Sequence, residues 1–182
     1  MLKMAQSEES NTILIKGCLA QDPKSQKALF EMFAPTMYAI CYRYAGDEDQ
    51  AKDLLQDGFI KVFTKLSDFK FEGSFEGWLK RIFINHSLEY LRKEKRQPEM
   101  IDVDNAHDLA ADSINFTGID TRKIMALIQK LPTGYRTVVN LYIIEGYSHK
   151  EIAELLGIAE STSKTQLFKA RQTLQRMLNN NF

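Results

Sequence analysis

Apolar residues in this chain recur every three or four positions almost from end to end, with only four prolines and nine glycines to interrupt them. A period of 3.6 residues gathers such positions on one side of a helix, so the expected fold class is all-α. Asp22 followed by Pro23 has the form of a cap with proline in the first turn, and Ala28, Leu29, Phe33, Met37, Ile40 and Cys41 make a stripe that should end near Gly46. Ala51, Leu54, Leu55, Phe59, Val62, Phe63 and Leu66 predict a second helix. The pattern breaks at SDFKFEGSFEG, a loop with two glycines and three exposed-looking aromatics, and resumes through Leu79, Ile82, Phe83, Leu88 and Leu91. Trp78 is in phase with Leu79 and Ile82 and is expected in the core.

Charge divides the chain where hydropathy does not. Lys and Arg total 24 and Asp and Glu total 24, a balance that on average argues against a nucleic-acid binder. By segment, residues 1–96 hold 15 basic and 14 acidic side chains, residues 97–120 hold 0 and 6, and residues 121–182 hold 9 and 4. An acidic middle therefore masks a basic C-terminal part. A basic cluster, Arg92, Lys93, Lys95 and Arg96, closes the last N-terminal helix before Pro98. Residues 97–120 are too polar to pack alone and read as a flexible acidic linker. The expected organisation is a tail and short helix over 1–24, one small helical domain over 25–96, the linker, and a second helical domain over 121–182.

In the second domain Ile124, Leu127, Ile128 and Leu131 predict a helix up to Pro132, and Val138, Val139, Leu141, Ile143 and Ile144 another up to Gly146. Ser148-His149-Lys150-Glu151 has the form of a capping box, and the helix it starts should end at Gly157, where positive φ is tolerated and the chain can reverse. Ala153 allows close approach of the next helix, about Glu160 to Leu178. There Leu167, Ala170, Leu174 and Met177 should face inward, and Thr162, Lys164, Thr165, Phe168, Lys169 and Arg171 outward. Hydroxyls and cations on one outer face suit a helix-turn-helix whose second helix enters the major groove. An α-hairpin with a solvated charged face is the plain alternative.

These residues carry a resemblance. LPTGYRTVVNLYIIEGYSHKEIAELLGIAESTSKTQLFKARQTLQ resembles the promoter −35 binding domain (region 4) of the sigma-70 family, DEDQAKDLLQDGFIKVF resembles that family's helix for docking on core RNA polymerase, and FEGSFEGWLKRIFINHSLEYLRKEKR resembles its −10 recognition and melting segment (region 2). The matches cover about residues 25–96 and 122–178, in the family's order and with nothing between them but the linker, as in the minimal extracytoplasmic-function group. The resemblance implies a transcription initiation factor. Asp53, Leu54, Gln56 and Asp57 would meet polymerase. Phe71, Gly73 and Ser74 would receive a flipped base, Lys80, Arg81 and Asn85 the melted strand, and Arg92, Lys93, Lys95 and Arg96 phosphates. Thr162, Lys164, Thr165, Phe168, Lys169 and Arg171 would lie at the −35 DNA. Three positions depart from the family pattern: Ser163 stands where an apolar residue is usual, Gln166 where Arg is common, and Ala159 where a capping Ser is common.

The implied partners are core RNA polymerase, promoter DNA and an anti-sigma factor, with no cofactor. Cys18 and Cys41 form no CxxC pair, and His86, His107 and His149 are scattered, so reduced thiols and no metal site are expected. No segment approaches the roughly 20 apolar residues of a membrane span, and a cytoplasmic protein is expected. A stand-alone helix-turn-helix regulator is the rival reading. An enzyme acting on nucleic acid is disfavoured by the lack of a phosphate loop, a nucleophile with its base, or paired carboxylates with a histidine.

Overall fold

A computed structural model describes residues 2–94 and 121–179 of the chain, and no strand occurs among them. The chain divides into two compact units, Met1–Arg96 and Gln97–Phe182. The linker expected over 97–120, with Lys95 and Arg96, lies outside the described residues.

Unit one holds helices α1 (Leu2–Leu19), α2 (Pro23–Ala45), α3 (Glu48–Lys65) and α4 (Phe75–Glu94), with a short 3₁₀ turn, Leu66–Asp68, after α3. The expected start of α2 is present: the Asp22 carboxylate accepts from the backbone N–H of Ser25 at 2.9 Å and from its hydroxyl at 2.6 Å. Gly46 ends the helix in the left-handed region, φ 89°. Pro35 lies inside α2 on its exposed side, where water can take the carbonyl that a proline leaves unpaired. Leu29, Met37, Ile40, Val62, Leu79 and Phe83 fill the space between α2, α3 and α4. At the closest approach of α3 and α4, a Cβ on Gly58 would stand 2.2 Å from the Phe83 ring, so only glycine lets the two helices pack there.

In the N-terminal segment, expected as a tail and short helix, the helix is longer than a short one. Residues Leu2–Leu19 form an 18-residue helix packed on α2, with Ile15 and Cys18 buried. Gly17 is the reason it fits, since a Cβ there would lie 2.1 Å from the Ser25 hydroxyl. The loop aromatics also divide: Phe69 and Phe75 are buried and only Phe71 is exposed.

Unit two holds α5 (Thr121–Gln129), α6 (Thr133–Val139), a π turn (Asn140–Ile144), α7 (His149–Leu156) and α8 (Glu160–Asn179). Val138, Val139, Leu141, Ile152, Leu167 and Leu174 are its buried centre. The helix expected to run to Gly146 instead widens after Val139, where the Glu145 N–H reaches back five residues to the Asn140 carbonyl at 3.0 Å. The wider turn shifts the helical phase, and Ile143 and Ile144 are exposed.

Candidate functional site

Asp53, Gln56 and Asp57 stand at i, i+3 and i+4 on α3, all exposed. Leu54 does not join them. It is 3% exposed and packs inward, because its position falls in phase with Ala51 and Gly58 on the buried side. Ile60, 58% exposed, continues the acidic face one turn on. The spacing 53, 56, 57, 60 carries that signal, which a search for buried stripes passes over. Beside this face Lys61 donates to Glu89 at 2.5 Å and ties α3 to α4. That hydrogen bond holds the Glu89 carboxyl below its usual pKa. His86 is buried under the same pair, and neither ring nitrogen has a hydrogen-bond partner among the described residues. Burial, then the Lys61 ammonium, push its pKa down, and Asp57 and Glu89 oppose them.

At the start of α4 the aromatics form a ledge. Phe69 packs against Phe71, Phe75 and Trp78 with ring centroids 5.2, 5.1 and 5.5 Å apart, and Trp78 stacks on Phe75 at 5.7 Å and 20°. Phe71 is 47% exposed and sits at φ 58°, a region that bulky residues rarely adopt. Gly73 has φ +77° and open space around it. The Ser74 hydroxyl accepts from the Gly77 N–H at 3.2 Å and so caps α4. Trp78, expected in the core, is half-buried at the surface. With Arg81 and Asn85 it stands at i, i+3 and i+7, and Arg92 returns to the same side two turns later. Lys80 is turned about 100° from this side, as any adjacent helical residue is, and is paired with Glu76 at 2.8 Å. Lys93 is exposed on the other flank.

In unit two the capping box forms as the sequence predicts: the Ser148 hydroxyl accepts from the Glu151 N–H at 3.3 Å, and the Glu151 carboxylate accepts from the Ser148 N–H at 2.8 Å. Gly157 closes α7 at φ 67°, and the Ile158 N–H bonds the Ala153 carbonyl at 3.1 Å. The chain thus reverses into α8 as in a helix-turn-helix. Along α8, Ser163, Leu167, Ala170 and Leu174 are buried. Opposite them lie Ser161, Thr165, Phe168 and Lys169, with Thr162 on one flank and Lys164 and Arg171 on the other. Ser161 is exposed at the centre of this face. The Thr165 hydroxyl donates to the Ser161 carbonyl at 2.9 Å, leaving its oxygen free to accept. Lys164 reaches Glu160 at 2.9 Å. Ser163 is completely buried and hydrogen-bonded to His149 Nδ1 at 2.9 Å, and the His149 ring stacks on Tyr142 at 4.4 Å.

Among the described residues no cluster of His, Cys, Asp and Glu could hold a metal, and no helix is long and apolar enough to cross a membrane. Cys18 and Cys41 are free and buried, and burial pushes the Cys41 thiol up to about 12.

Comparison with known proteins agrees with both units. Residues 29–97 match the family described as Sigma-70 region 2, and residues 121–174 match Sigma-70, region 4. RNA polymerase sigma factor SigZ of Bacillus subtilis is 30% identical over 82% of this chain and 85% of its own length. ECF RNA polymerase sigma factor SigW of Bacillus subtilis is 28% identical over 91% of this chain and 97% of its own. ECF RNA polymerase sigma factor SigE of Mycolicibacterium smegmatis is 33% identical over 82% of this chain, which spans 60% of that longer relative. The fold is similar to that of the sigma factor RpoE solved with the anti-sigma factor NepR from Bartonella quintana, with TM-score 0.53 and 24% identity over 84% of this chain and 96% of the other. Two units that match the two sigma-70 regions in order, in a chain aligned over most of its length with such relatives, settle the family: this protein belongs to the extracytoplasmic-function group of sigma-70 factors, which act in transcription initiation.

Proposed function

We propose that the work of this sigma factor is divided by unit, and that it is done by binding rather than catalysis, in the cytoplasm. Asp53, Gln56 and Asp57 on α3 dock on core RNA polymerase, where carboxylates pair well with arginines through charge-assisted bonds. Mutual repulsion of Asp53 and Asp57 at i, i+4 costs a few tenths of a kcal/mol, which a partner's cation would reverse. The aromatic ledge and the Arg81, Asn85 and Arg92 side of α4 take the melted −10 strand, with Lys80, Lys93 and, beyond the described residues, Lys95 and Arg96 adding cations for phosphates. The outer face of α8 reads the −35 duplex. The acidic run 97–120 tethers the two DNA contacts, so each raises the local concentration of the other and neither need bind tightly alone. A protein antagonist of the kind bound to RpoE is expected to cover one of these faces.

The observation that carries this reading is the ledge. Opening a duplex without nucleotide hydrolysis requires that a few kcal/mol of unstacking be offset by new stacking, and exposed aromatics beside cations provide it. Strain at Phe71 fits a residue held ready for a ligand. A stand-alone helix-turn-helix regulator has no use for either the ledge or the acidic face.

The test is run-off transcription with bacterial core polymerase on promoters selected from a random template library. Trp78→Ala and Phe71→Ala should each lower transcription on the order of tenfold on duplex templates and far less on templates with a preformed bubble. The double reversal Asp53→Lys with Asp57→Lys should abolish transcription on both. Absence of any promoter-specific transcript with the unaltered chain would overturn the reading.

A further inference from the structure

The −35 reading leaves one group unexplained. Ser163 lies on the inner side of α8, wholly buried, between Thr162 and Lys164 on the flanks of the outer face. An unpaired hydroxyl there would be costly, and the site would be satisfied more simply by an apolar side chain of similar size, the residue type usual at this position. Instead Ser163 is hydrogen-bonded to Nδ1 of His149, in the first turn of α7, and the ring of His149 lies nearly flat on Tyr142 of the π turn, 21° from parallel. Tyr142, His149 and Ser163 therefore join three successive elements by one stack and one hydrogen bond.

The two kinds of contact constrain a helix differently. An apolar contact is non-directional and tolerates a small rotation or slide. A hydrogen bond falls off steeply with angle and distance, so it fixes α8 about its axis at one residue. The residue it fixes is the direct neighbour of Thr162 and Lys164. Stability alone does not account for the pair, because apolar replacements of the same shape are commonly as stable.

We propose that His149 and Ser163 are a positioning pair for −35 recognition: the hydrogen bond between them sets the rotation of the first turns of α8 against α7 and thereby aims the groove-facing side chains. Neither residue touches DNA in this arrangement. The inference rests on the −35 reading of α8.

Threonine and valine have nearly the same shape and differ by the hydroxyl, so Ser163→Thr and Ser163→Val separate direction from packing. Full-length chains would be assembled with core polymerase and assayed on a promoter selected by the unaltered holoenzyme and on the same promoter with its −35 element scrambled. The readout is the ratio of transcripts from the two templates. Ser163→Thr should keep the ratio, and Ser163→Val should lower it about fivefold, the worth of one hydrogen bond, with the scrambled-template signal unchanged. His149→Phe, which keeps the stack on Tyr142, should lower it equally, and the double variant no further, since both remove one interaction. If Ser163→Val fails to fold, Ser163→Ala takes its place. A ratio unmoved by loss of the hydroxyl, or fully additive effects of the two substitutions, would overturn the pair alone. An unaltered chain that gives equal transcripts from both templates would overturn the −35 reading itself.

Discussion

The two units solve the problem of fixing helices in different ways. Unit one buries twenty apolar side chains among its described residues, including Phe59, Phe69, Phe75 and Phe83, and lets α3 and α4 meet at Gly58. Unit two buries nine, none of them aromatic, together with three polar residues, Thr137, Asn140 and Ser163, against His86 and Ser87 in the larger core of unit one. Burial of apolar area is the main source of stability, and buried polar groups add direction at little net gain. Unit one, with the larger apolar core, should therefore be the more robust of the two. Unit two should be the less stable, with α7 and α8 relying on the Ser148–Glu151 capping box and the His149–Ser163 hydrogen bond.

That contrast breaks most visibly at Phe83. Phe83→Ala removes a fully buried ring at the α3–α4 contact and should cost about 3–5 kcal/mol. Trp78, the chain's single tryptophan, lies in unit one and reports its unfolding by fluorescence. The denaturation midpoint seen there should fall sharply, while hydrogen exchange of residues 121–179 stays as it was. Exchange rising equally in both units would mean that they unfold together and that the contrast is false. A smaller effect sharpens it from the other side. Ser148→Ala removes one half of the capping box and should cost unit two about 1 kcal/mol. Exchange should accelerate in α7 and α8 without change in the tryptophan transition.

Much of the fold was legible because its signals are local. Asp22 with Pro23, Gly46, the capping box and Gly157 each act within a few residues, and all stand where the sequence places them. What was not legible depends on packing between elements. The helix over Leu2–Leu19 has polar residues where a stripe was sought, and it is held through Ile15, Cys18 and the fit of Gly17 to Ser25. A loop has no period, so nothing local tells Phe71 from Phe69 and Phe75. Trp78 misled because its immediate neighbour Leu79 is buried, yet adjacent helical residues point about 100° apart. Its relation to Arg81 and Asn85 was the better guide. Leu54 is expected beside Asp53 and Asp57 by resemblance alone, yet its helical phase with Ala51 and Gly58 buries it, and the π turn that exposes Ile143 and Ile144 changes the helical period itself.

The smallest effect expected is one of pH, and it acts through His86 in unit one and His149 in unit two. Burial is the first cause of the depressed pKa of both His86 and His149; Lys61 adds to it in the first, and Lys164 and Arg171 in the second. A histidine depressed in the folded state binds fewer protons than it does unfolded, between its folded pKa and the unfolded value of about 6.5. Its contribution is therefore complete above that value and is lost as pH falls through the window. The carboxylates held low by partners, Asp22, Glu89 and Glu160, are also complete at neutral pH but lose their contribution only in more acidic solution. Going from about pH 7.5 to about pH 5.5 should thus lower both transitions through the histidines alone, by less than the loss of the Ser148 cap. His86→Leu should flatten the dependence of the tryptophan transition only, and His149→Phe that of exchange in unit two only. A midpoint that rises on acidification, or a dependence that survives in the unit whose histidine is gone, would show that other groups govern it.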